Sequence, residues 1–216
     1  MPAGDGAPRR VFLLSPAHAG GERAALLLRP AASFPLARAV QSAPGAPLGE
    51  VFTFTSGLYF RGKLAYAEAF ARPPRGVAPA LVIAPGAGLV PPGRHVNEVD
   101  LRAFAAVPVD PADPRFRGPL LRDALALAGA APRAEVVLLG SIASGKYVDV
   151  LLEAFGDRLL FPADFVGRGD MSRGGLLLRC VRAGAELTCV PVAGAVRRGR
   201  RPPRLPPVPR SSGRGA

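Results

Sequence analysis

Short apolar runs closed by turn residues recur at 10–14, 51–55, 80–84 and 135–139, reading RVFLL, VFTFT, ALVIA and EVVLL. Their length and their β-branched and aromatic content predict four strands. Between them the apolar spacing changes. Leu64, Ala67 and Phe70 predict a helix over 62–71, stopped by Pro73-Pro74. Leu120, Leu121, Ala124, Leu125 and Ala128 predict another over 119–130, and a third spans 147–155 before Gly156. Shorter helical pieces fit 24–28 and 34–41, and 43–49 reads as a turn. Residues 99–117, with prolines at 108, 111 and 114, read as irregular. A short strand fits 158–161, and 176–182 and 186–190 read as two strands of a hairpin around Ala183-Gly184.

Strands separated by helices imply a βα repeat. The expected fold is a three-layer α/β sandwich with a mostly parallel sheet, a C-terminal hairpin and a disordered basic tail. Residues 1–9 read as a flexible start, 10–195 as a single domain, and 196–216 as the Arg/Pro-rich tail. In such folds ligands sit beyond the carboxyl ends of the strands. The polar loops at 15 onward, 56–63, 85–90 and 140–146 fall at those predicted ends.

Composition sharpens this picture. Of 28 basic residues only Lys63 and Lys146 are lysine, and each follows a glycine at a predicted strand-to-helix junction. Net charge is +12, and the seven arginines after residue 195, with no acid among them, leave +5 for the remainder. A basic domain with a strongly basic tail fits a polyanionic partner. Two cysteines without nearby histidine make no metal site, and the expected setting is a reduced cytoplasm. No run is long enough for a membrane helix, and neither a cofactor nor a metal is expected.

Three segments carry candidate chemistry. Gly140-Ser141-Ile142-Ala143-Ser144-Gly145-Lys146 matches a phosphate-binding P-loop up to its last position, where Tyr147 replaces the hydroxyl that would hold Mg²⁺. Gly140, Ser141, Gly145 and Lys146 are therefore candidates for binding an anion at a helix N-terminus. In the glycine-rich stretch 165–175, Asp170 is the candidate base or ribose-orienting group, Ser172 a second candidate catalytic residue, and Arg168 and Arg173 candidate anion partners. Finally, Ser56, Tyr59 and Lys63 offer a hydroxyl, a stacking ring and a cation. The two histidines, His18 and His95, fit no metal pattern.

Several of these segments together resemble a bacterial group. Residues 11–17, VFLLSPA, look like the first strand and Ser-Pro-Ala turn of the YaaA-like proteins. Ser56-Gly57-Leu58-Tyr59, Tyr66-Ala67 and the 81–90 strand and turn are similar to a broader bacterial set, as are Leu138-Leu139-Gly140, Tyr147, Val148, Leu151 and the 162–169 loop. The resemblance covers about residues 10–170 in short matches. It implies a three-layer sandwich akin to uracil-DNA-glycosylase-like domains and a role with nucleic acid or nucleobases. His18 stands where the YaaA-like lysine would be, and no catalytic residue carries across.

The resulting expectation is a protein that binds a nucleotide, nucleobase or nucleic acid, with nucleoside or nucleobase processing as its enzymatic form. Two alternatives stand beside it. One is a non-catalytic nucleic-acid-binding protein that uses its tail, and the other is a degenerate P-loop phosphotransferase.

Overall fold

The computed structural model describes residues 7–203 and Leu205. The expectations of a loose start and a disordered tail thus fall partly outside the described residues, on 1–6, 204 and 206–216. Residues 196–203 carry no helix or strand.

Three parallel strands make the heart of the molecule: β1 (Arg10–Leu14), β3 (Ala80–Ala84) and β6 (Glu135–Leu139). Every residue of β1 is buried, which is why its apolar run is continuous rather than alternating. β7 (Leu159–Pro162) joins β6 in parallel. The edge strands β4 (Gly88–Val90) and β8 (Cys189–Pro191) run antiparallel, giving a six-stranded, mostly parallel sheet in the order β4-β3-β1-β6-β7-β8. A separate two-stranded ribbon pairs β2 (Ala46–Pro47) with β5 (His95–Val96).

Helices complete the layers of the α/β sandwich. α4 (Leu58–Phe70) packs on α8 (Asp170–Ala183) and against β1 and β3. α6 (Pro114–Ala130) packs on α7 (Gly145–Phe155) and reaches β4. The shorter α1 (Glu22–Leu27), α2 (Pro35–Val40), α3 (Leu48–Ser56) and α5 (Glu98–Ala105) fill the connections.

Three local expectations are corrected. Residues 51–55 are helix, not strand. Their β-branched content suggested a strand, but the buried positions Leu48, Val51 and Phe52 follow i, i+3, i+4 spacing, and the Thr55 hydroxyl donates to the Val51 carbonyl. Residues 176–182 belong to α8, so the predicted hairpin is absent, and β8 pairs with β7 instead. Here Gly174, Leu177 and Val181 share one helical face. Within the supposedly irregular stretch lies α5, started by a reciprocal cap in which the Asn97 side chain accepts from Asp100 N and the Asp100 carboxylate accepts from Asn97 N.

At the amino end of the sheet Arg10 is buried. It donates to Glu135 at 2.6 Å and to Glu186 at 2.9 Å, and Arg72 completes the cluster on Glu186 at 2.7 Å. Beyond the other end, α4 and α8 touch backbone to backbone. A Cβ placed on Gly62 would lie 2.7 Å from the Gly174 carbonyl oxygen. One on Gly174 would lie 2.7 Å from Leu58 O and 2.8 Å from Tyr59 Cα.

No side-chain rotation relieves those contacts, so Gly174→Ala must push the helices apart. We expect a loss of about 1–3 kcal/mol in urea denaturation, the usual range for overpacking. Unchanged stability would show that the helices separate freely.

Candidate functional site

The loops after β1 and β6 meet. Ser15, just past β1, donates its backbone N–H to Leu139 O, and Gly140 lies directly against it. A Cβ at 140 would come within 2.9 Å of Ser15 Cβ, so this closure needs the glycine. The chain leaves β1 toward β3 on one side and β6 toward β7 on the other, which makes the crevice between β1 and β6 the topological switch point.

A cavity of about 290 Å³ opens there. The loop after β1 contributes Ser15 and His18, the α3–α4 corner Ser56 and Tyr59, the loop after β6 Ser141, α7 Tyr147, and the start of α8 Asp170. Beneath it lies Lys63, at 1% exposure the most buried of the described charged residues. Its Nζ donates to the Ser15 carbonyl at 2.5 Å and stands 2.9 Å from Ser15 Oγ. The Tyr59 and Phe60 rings lie 4.5 and 4.8 Å from it. Among the described residues no carboxylate forms a salt bridge with it. Desolvation therefore dominates and pulls the ammonium down to about 7; Asp170 opposes the shift and Arg173 adds to it.

The Tyr59 hydroxyl is buried and, among the described residues, has no partner at hydrogen-bond geometry, although the Arg173 guanidinium is close enough to act on it. Burial holds its pKa well above the usual phenol, with Arg173 partly offsetting the effect, and the same cause lifts Tyr147 to about 12. Both hydroxyls are therefore donors at neutral pH. Arg173 is buried, donates to Phe165 O at 3.1 Å, lies over the Phe165 ring and is 3.4 Å from Asp170. Asp170 itself is exposed at the mouth of the cavity.

A second, wider cavity of about 490 Å³ lies next to it: Ala143 and Gly169 of its lining are chain neighbours of Ser141 and Asp170, and its Arg173 is 3.4 Å from Asp170. It is lined by Arg168, Arg173, Arg197, Arg198 and Arg201, and no carboxylate is among the described residues that line it. The basic segment is placed there by contact: Arg198 donates to Ala143 O at 3.2 Å, and the Arg200 carbonyl abuts Gly167.

The structure thus brings Ser56, Tyr59, Ser141 and Asp170 to one cavity, with Gly140 behind it and Arg173 beside it. Other candidates sit elsewhere. Lys63 does not begin a helix at the rim; it is in mid-α4, preceded by a helix, and points under the floor. Tyr59 presents no open ring for stacking, because it is packed edge-on against Phe165. Gly145 and Lys146 start α7, but Lys146 is exposed and the next residue, Tyr147, faces the cavity. Ser172 accepts from Arg168 at 3.3 Å and lines a different depression. Sequence reasoning missed Ser15 as a site residue. Its signal was the position directly beyond an unbroken apolar run.

Among the described residues no group of three or more His, Cys, Asp or Glu side chains could hold a metal ion, and no helix is long and apolar enough to cross a membrane. Comparison with protein-family models, curated proteins and solved structures finds no match to this chain.

The folded protein releases the Lys63 proton near pH 7, whereas the unfolded chain holds it to 10.5. Between these values the unfolded chain binds more protons, so stability rises with pH. Against Lys63→Met, the wild type should gain up to about 1.4 kcal/mol per pH unit between about pH 7 and 9.5 in urea denaturation. A pH-independent difference would mean that Lys63 stays charged.

Proposed function

We propose that this protein binds a nucleotide or the end of a nucleic-acid strand at the carboxyl rim of its sheet, with phosphate in the arginine-lined cavity and a nucleoside part in the smaller one. The observation carrying this reading is the adjacency of the two cavities. One has five arginines and no lining carboxylate, and the other is small and rich in hydroxyls. Guanidinium groups match phosphate oxygens in paired hydrogen bonds. Two of the five, Arg173 and Arg197, face carboxylates at 3.4 and 3.6 Å, so positive charge predominates in the cavity. Hydroxyl residues Ser56, Ser141 and Tyr147 supply donors and acceptors for a sugar or a base edge.

This reading agrees with the resemblance to YaaA-like and glycosylase-like domains and with a cytoplasmic setting, where two free cysteines are at home. It favours binding over P-loop phosphotransfer, since Lys146 points to solvent and Tyr147 takes the Mg²⁺-hydroxyl position.

Binding of a short single-stranded oligonucleotide, followed by fluorescence anisotropy across a salt series, tests it. Replacing Arg168, Arg198 and Arg201 together by Ala should lower the salt slope by about 2, near 0.7 for each phosphate no longer neutralised. If the variant binds as the wild type does at every salt concentration, the arginine cavity is not the phosphate site.

A further inference from the structure

The geometry points to Ser15 as a nucleophile and Lys63 as its proton acceptor, in a site that transfers or hydrolyses an acyl group. This chemistry goes beyond nucleotide binding and does not depend on it. Four observations converge. Ser15 lines the smaller cavity, directly past the end of the central strand. Lys63 Nζ lies 2.9 Å from that oxygen and is shielded from water. Its second contact, 2.5 Å to the Ser15 carbonyl, fixes the amine. A neutral amine can give one N–H to this carbonyl while its lone pair accepts the Oγ proton, so the arrangement needs no rebuilding for the reaction.

The fourth observation is Tyr59, which lines the same cavity and whose buried hydroxyl has no partner at hydrogen-bond geometry among the described residues. Tyr147 on the cavity wall would donate to a developing oxyanion, and a turn of the Tyr59 side chain as that charge forms would bring its hydroxyl in as a second donor. Buried polar groups are almost always paired, so an orphan at a cavity points to a ligand atom.

Ser15 Oγ bonds to the carbonyl carbon of an ester or amide as its proton passes to Lys63 Nζ. The carbon–leaving-group bond then breaks, and the leaving group takes the proton from Nζ. Water, activated by the same amine, hydrolyses the seryl ester and restores both groups. Burial sets the charge of Lys63 first, then Asp170 and Arg173 on α8; the Tyr59 ring on its own helix packs against the amine, and Tyr147 and His18 are the other titratable groups of the cavity wall. Among these, Asp170 favours the ammonium and Arg173 the amine. Arginines of the adjoining cavity would hold an anionic part of the acyl substrate.

A small alkyl fluorophosphonate tests the assignment without any nucleotide. Its phosphorus accepts Ser15 Oγ, fluoride leaves, and Nζ takes the proton. Peptide mass spectrometry should place one adduct on Ser15, and none should form there in Ser15→Ala. The labelling rate should rise through one ionisation near pH 7 and fall about 100-fold or more in Lys63→Met, the usual scale when a general base is removed. No adduct on Ser15, or labelling of Lys63→Met at the wild-type rate, overturns the proposal. Should Lys63→Met fail to fold, a wild-type rate unchanged between about pH 5.5 and 8.5 overturns it equally. Oligonucleotide binding is scored separately, so either reading can fail alone.

Discussion

The near contact of two helix backbones, at Gly62 on α4 and Gly174 on α8, determines what the carboxyl rim can contain. Tyr59 and Lys63 flank the first glycine, and Asp170 and Arg173 lie within about a turn of the second. Bringing the backbones this close puts a guanidinium, a phenol and an amine into one desolvated space, with a single carboxylate at its edge. Two buried cations cannot both keep their charge there without paired anions. The Arg173 guanidinium leans on a carbonyl and a ring, and Lys63 yields its proton.

That division also explains why the site has two compartments. The smaller cavity holds hydroxyl residues above an amine whose proton is loosened by burial, so its chemistry concerns proton placement. The larger one is lined by permanent charge and concerns anion retention. Asp170 stands on the boundary, exposed on one side and 3.4 Å from Arg173 on the other. It influences both compartments while remaining free to change its partner when an anion arrives.

Most of the sheet could be read from the sequence. Runs at 10–14, 80–84 and 135–139 are strands because parallel strands are covered on both faces, which leaves an unbroken apolar signature. The same composition at 51–55 misled, since short apolar runs do not separate strand from helix until their neighbours are placed. Glycines at 174 and 175 likewise gave no helical signal, although both lie in α8 and Gly174 permits the helix crossing. Lys63 was recognisable as unusual, but its burial was not, because only the tertiary contact of α4 with Ser15 removes it from water. The arginines after residue 196 were visible as charge. The position of Arg198 beside Ala143 and of Arg200 beside Gly167 depends on packing that no local pattern encodes.

The Arg10 cluster bears on how the sheet chooses its alignment. A strand buried on both faces has little to lose, in apolar contact, by sliding one or two places along its neighbours. Val11, Phe12, Leu13 and Leu14 would find greasy surroundings in several alignments. Arg10 would not, because a shift carries its guanidinium away from Glu135 and Glu186 and leaves a charge unmatched at the sheet's end. One polar residue thus acts as the index mark of the central strand. Because Ser15 is five residues further along, that mark at one end of the sheet also fixes the height of the candidate nucleophile at the other.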